Sequence, residues 1–174
     1  YNDSASKIGS FSVQNRQSIT YDEMPQNLRD AVVSAENRTF WSDPGISVKG
    51  MSRAAFSVLR GGDVQGGSTI TQQYIKVLYL SQERTMQRKL KELVLADKMG
   101  RKVPKEDILA GYLNTIYFGR GAYGVQAAAR AYFNIDAKDL DLRQAAVLAA
   151  VLNNPTLFDP SDGPVSYTHL RAHE

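Results

Sequence analysis

Hydrophobic residues recur along this chain at helical rather than strand spacing, and the breaks between them fall at glycine and proline. The first twenty residues, with a weak alternation at Ile8, Phe11 and Val13, read as an extended lead-in or short strand. Asp22 and Pro25 then mark a helix start, and Leu28, Val32, Ala35 and Phe40 form a stripe that predicts a helix through about Phe40. Asp43-Pro44-Gly45 ends the pattern, so residues 42–50 read as a loop. A short helix over about 49–59 carries Arg53, and Gly61-Gly62 and Gly66-Gly67 bracket the connection that follows. Ser68 and Thr69 are candidate N-caps of the next helix, and Thr69 and Gln72 have the spacing of a capping box. Another helix is predicted from near Glu83, with Met86, Leu90, Leu93 and Val94 as the stripe facing a core.

After Gly100 and Pro104, Ile108, Leu109, Tyr112, Leu113, Ile116 and Tyr117 predict a further buried face, ended by Gly119, Gly121 and Gly124. Helices over about 123–133 and 141–153 complete the chain, the second with Asp141 as N-cap and Pro155 as stop. Tyrosines and phenylalanines on these helices read as core. The fold class is mainly α, one domain over residues 1–165 with no internal repeat. Residues 166–174 continue no pattern and read as an expression or sequencing remnant.

Composition narrows the chemistry. The 174 residues are 43% apolar and 22% charged, with a net charge of +3, which describes a globular chain compatible with an anionic partner. No stretch is long and apolar enough to span a bilayer. The start at Tyr1 without a signal peptide points to a piece of a longer protein. Cysteine is absent, which removes disulfides, thiolate catalysis and cysteine–zinc sites. Both histidines, His169 and His173, lie in the last six residues, so acid–base chemistry falls to carboxylates, lysine or tyrosine.

Two features carry candidate chemistry. Glu36 follows Val32 and precedes Phe40 by four residues each, which places it beside an apolar face. A carboxylate there is partly desolvated and suited to proton transfer, although an ordinary edge glutamate would share the same spacing. From Gly66 onward, a glycine turn feeds a capped helix whose backbone N–H groups suit an anion, and Lys76 lies two turns along. Arg84, Arg88 and Lys91 then share one helical face with Glu92. A plain basic amphipathic helix would look similar, but the glycine–hydroxyl–glutamine run upstream points to a phosphate or diphosphate site.

Five segments, SAENRTFW (34–41), GGSTITQQYIK (66–76), RKLKE (88–92), ILAGYLNTIYFGRGAYG (108–124) and AAVLAAVLNNPTLFDP (145–160), together resemble the peptidoglycan glycosyltransferases of glycosyltransferase family 51. The resemblance implies a lysozyme-like helical fold with a smaller, mobile lobe beside the membrane. It implies polymerisation of lipid II into β-1,4-linked glycan strands at the outer face of the bacterial cytoplasmic membrane, with inversion and release of undecaprenyl diphosphate. Glu36 takes the place of the family's general base, and Glu92 that of the third-motif glutamate. Lys76, Arg84 and Lys91 match cations placed at the donor diphosphate, and Arg88, on the same helical face, is a further candidate there. Gln72, Gln73, Ser68, Thr69, Arg53 and Phe40 complete the candidate substrate-binding set. Glu92 could orient the cations or hold a divalent ion, Mg or Mn, and no metal is strictly required. The partners implied are lipid II, the growing lipid-linked glycan, the membrane surface and a transpeptidase domain in the same longer chain, with no nucleic acid.

The chain departs from the family pattern at Asn37, where many members have aspartate, at Asp43, where they have histidine, and at Ala110, where they have glutamate. Two other classes compete. A lysozyme-like hydrolase would need two carboxylates flanking a glycosidic bond and no cationic diphosphate site. A non-catalytic module binding anionic lipid would make no use of Glu36.

Overall fold

The computed structural model describes residues 17–47, 68–79, 86–155 and 157–160. The predicted helix around Arg53, the glycines at 66–67, Arg84 and the segment 166–174 with both histidines lie outside them. The described chain is mainly helical: α1 (Gln26–Glu36), α2 (Ile70–Tyr79), α3 (Met86–Lys102), α4 (Lys105–Thr115), α5 (Val125–Phe133) and α6 (Leu142–Asn153), with 3-10 turns at Tyr21–Glu23 and Ala137–Asp139. These residues do not delimit the smaller lobe that the resemblance implies.

Pro25 presets the backbone ahead of α1, where Leu28, Val32 and Val33 are buried against α6. The helix ends earlier than the stripe predicts. Asn37 leaves it with extended φ of −159°, and the chain turns so that Phe40 N donates to Asn37 O at 2.9 Å. Phe40 is fully buried all the same, reaching the core from a turn rather than from a helix. On α4, Ile108, Leu109, Tyr112 and Leu113 are buried as their spacing predicts, although Ile116 already lies past the helix and Tyr117 is exposed. Asn114 ties the lead-in to this helix, accepting from Ile19 N at 3.0 Å and donating to Ile19 O at 2.8 Å. Asp141 caps α6 in a reciprocal capping box with Gln144.

The expected core stripe of α3 is the wrong face. Leu90 and Val94 are 64% and 61% exposed, whereas Glu92 and Ala96 are buried. Small residues explain the inversion. A Cβ on Gly100 would fall 2.3 Å from Pro44 O, and one on Gly45 would fall 2.2 Å from Ala96 O. The loop after α1 therefore lies backbone to backbone on Ala96 and Gly100, a contact that large side chains would prevent. Between α2 and α4 the glycine makes room for a side chain instead: a Cβ on Gly111 would meet Tyr74 Oη at 2.2 Å.

Candidate active site

The ends of α1 and α2 and the middle of α4 converge on Glu36. Gln73 Nε2 donates to Glu36 Oε2 at 2.8 Å, and Tyr112 Oη donates to Gln73 Oε1 at 2.8 Å. The second carboxylate oxygen, Glu36 Oε1, is buried and has no hydrogen-bond partner among the described residues. Such an oxygen lacks both solvation and a hydrogen-bond donor, an arrangement that is costly for a carboxylate. Burial, followed by the charge of Glu36, pushes the Tyr112 phenol well above its ordinary range, so it stays an O–H donor.

The capping box at α2 forms as its spacing predicts. Thr69 N donates to Gln72 Oε1 at 2.8 Å, and Gln72 N donates to Thr69 Oγ1 at 3.1 Å. Thr69 Oγ1 also donates to Gly45 O at 2.6 Å, which ties the loop after α1 to the start of α2. Thr69 and Gln72 are buried, and their side chains are spent on closing the start of α2. Ser68 is exposed, and its hydroxyl accepts from Lys89 Nζ at 3.5 Å. Phe40, grouped with the substrate contacts by its motif, belongs to the core and carries the Lys105 ammonium 4.8 Å above its ring. Gln73 is the glutamine of this motif that reaches the carboxylate.

The cations divide into two sets. Lys76 is exposed on α2, one turn after Gln73 and on the same side of the helix. On α3 the buried Glu92 pairs with Lys89, and Arg88 Nη1 lies 3.9 Å from its Oε2. Lys91 is exposed and stands apart from this pairing. The helical-face argument does not reach Lys89, although its i, i+3 spacing to Glu92 permits the pair. Both Glu92 oxygens thus lie beside cations, Oε1 against Lys89 and Oε2 near Arg88. Among the described residues no three His, Cys, Asp or Glu side chains gather where a metal could bind.

The departures at 37 and 43 meet each other. Asn37 Nδ2 donates to Asp43 Oδ2 at 2.8 Å, and Asp43 Oδ1 accepts from Gly45 N at 2.9 Å and from Lys105 Nζ at 3.2 Å. Lys105 Nζ also donates to Asp43 O at 2.7 Å. An amide–carboxylate–ammonium set thus pins the loop directly behind Glu36. Ala110, the third departure, is half-buried against the core.

A family model described as Transglycosylase matches residues 3–173. The chain belongs to the transglycosylase family, the peptidoglycan glycosyltransferases of glycosyltransferase family 51. It is similar to Penicillin-binding protein 1A of Mycobacterium tuberculosis, 46% identical over 154 residues, covering 86% of this chain and 19% of that protein. Penicillin-binding protein 1F of Bacillus subtilis is 40% identical over 155 residues, covering 88% of this chain and 22% of the relative. Penicillin-binding protein 1A of Aquifex aeolicus is 45% identical over 153 residues, covering 87% and 21%. The chain spans about a fifth of the length of these relatives.

Proposed function

We propose that this transglycosylase domain polymerises lipid II into β-1,4-linked glycan, with Glu36 as the base. The observation that carries the reading is Glu36 itself: one oxygen is fixed by Gln73 and the other is buried without a hydrogen-bond partner among the described residues, beside a helix bearing Lys76. In the reaction, the 4-hydroxyl oxygen of the acceptor GlcNAc attacks the donor's anomeric carbon opposite the diphosphate. The bond from that carbon to the diphosphate oxygen breaks, its electron pair leaves with undecaprenyl diphosphate, and the hydroxyl proton passes to Glu36. The α-linked donor becomes a β-1,4 linkage in a single displacement. Lys76, together with Arg84, Arg88 and Lys91, meets the charge growing on the diphosphate, where preorganised cations act most strongly. Glu92 orients Arg88 and Lys89 for that task. A glycan hydrolase gains no support, because Glu92 is engaged by cations and is not free to act as the second carboxylate of such a pair.

Labelled lipid II polymerised by this chain in detergent tests the proposal. Glycan strands are expected, and lipid II that binds without being polymerised would count against it. The Lys76→Ala variant is expected to lose roughly 10²-fold in kcat/KM with an unchanged melting temperature, since its side chain is exposed. A large drop in melting temperature with unchanged turnover per folded molecule would sink the role of Lys76.

The same reading places the domain at the outer face of the bacterial cytoplasmic membrane, beside its lipid-linked substrate, with a transpeptidase domain elsewhere in a longer chain. Among the described residues no helix is long and apolar enough to cross a membrane. Leu90 and Val94 on α3, with Val77, Leu78 and Tyr79 on α2, instead turn apolar side chains to solvent, as a surface resting on lipid would. The domain is expected to float with anionic vesicles, and Leu90→Glu combined with Val94→Glu to weaken that association about tenfold or more. Parent protein that stays in the dense fraction would refute the membrane contact.

A further inference from the structure

We infer that Tyr112 is a positioning residue for glycosyl transfer: its hydroxyl locks the Gln73 amide so that an N–H, and not a carbonyl oxygen, faces Glu36. The inference rests on the reading of Glu36 as the base. A glutamine amide has two ends of nearly equal size and opposite hydrogen-bonding character. Flipped, it would set its carbonyl oxygen against the carboxylate, with lone pair opposing lone pair. Tyr112 Oη donates to the carbonyl end at 2.8 Å, which leaves Nε2 to donate to Glu36 Oε2 at 2.8 Å. The Tyr112 ring is 1% exposed, so the hydroxyl cannot swing to water. α2 and α4 are packed against each other, with Tyr74 of α2 seated over Gly111 beside Tyr112. The line of bonds runs from α4 through α2 to the end of α1. It stops the carboxylate from rotating and leaves Oε1, which has no hydrogen-bond partner among the described residues, at one fixed place.

The test is steady-state lipid II polymerisation by the parent, Tyr112→Phe, Gln73→Ala and the double variant, each corrected for folded fraction. Tyr112→Phe is expected to lower kcat about tenfold while KM stays within about twofold of the parent, the pattern of a misplaced catalytic group. In the Gln73→Ala background, Tyr112→Phe is expected to cost no further kcat, because the hydroxyl acts only through that amide. A purely structural tyrosine would instead lower kcat by the same factor in both backgrounds, and that result would overturn the inference. Gln73→Glu provides a second check, since it keeps an acceptor for Tyr112 but offers Glu36 no N–H; parental kcat there would also overturn it. Glu36→Gln separates the two levels. If that variant keeps parental activity, the base reading fails and takes the inference with it. If it is inactive while Tyr112→Phe runs at parental kcat, the inference alone fails.

Discussion

Glu36→Gln is expected to abolish polymerisation of lipid II while leaving the fold and substrate binding in place. The substitution keeps the shape of the side chain, and its amide carbonyl can still accept from Gln73 Nε2 in the position now held by Glu36 Oε2. What disappears is the buried, unpartnered oxygen to which the proposed mechanism sends the acceptor's proton. Removing a positioned base costs about 10²- to 10⁴-fold in rate, so single-turnover assays of labelled lipid II should show little or no glycan. The new amide also brings an N–H to the buried place of Oε1, and an N–H left unpaired there costs about 1–3 kcal/mol in stability. A melting temperature measured on the same preparation separates that cost from the chemical one. Parental turnover in a folded variant would remove Glu36 from the mechanism.

Much of this architecture is legible in the sequence, and the misses share one cause. Leu28, Val32, Ile108, Leu109 and Leu113 are large and apolar at helical spacing, so α1 and α4 are readable from periodicity. The Thr69–Gln72 capping box is readable because it is local, closing within four residues. Phe40 extends the α1 stripe in sequence, but nothing in its hydrophobicity signals that Asn37 has already left the helix. On α3 the periodicity points to Leu90 and Val94, while the face against the protein is built from Glu92, Ala96 and Gly100. Small residues admit a neighbouring backbone without producing a hydrophobic signal, and a buried carboxylate held by Lys89 and Arg88 reads as surface.

The site divides in the same way. Glu36 stands out by residue type and by the motif around it. Its support does not, because residues 36, 73 and 112 lie on three helices and meet only in the fold. A tyrosine in an apolar stripe reads as core. For Tyr112 that holds for the ring and misses the hydroxyl. The exchange at Asn37 and Asp43 reads in sequence as two separate departures from the family pattern, and the structure makes them one hydrogen-bonded pair.

Gly100→Ala is expected to be among the most damaging single-methyl changes in this domain, although the residue lies on α3, away from Glu36. Two effects compete. Alanine in place of a helical glycine favours a helix by about 1 kcal/mol on an open face. Here, however, the added carbon would lie 2.3 Å from Pro44 O, 2.5 Å from Pro44 C and 2.6 Å from Gly45 N. All three are backbone atoms, so no rotamer change relieves the clash, and overpacking of this kind costs about 1–3 kcal/mol. The loop cannot tilt freely either. Gly45 sits at φ of +95°, Gly45 O accepts from Thr69 Oγ1, and Asp43 is tied to Asn37 and Lys105. Displacing the loop therefore pulls on Asn37, the residue after Glu36, and a shift of about 1 Å in a catalytic group can cost roughly 10²-fold in rate. Urea unfolding and polymerisation per folded molecule should both fall. A midpoint equal to or above the parent's would mean that helix propensity outweighs the contact and that the loop is not seated on α3.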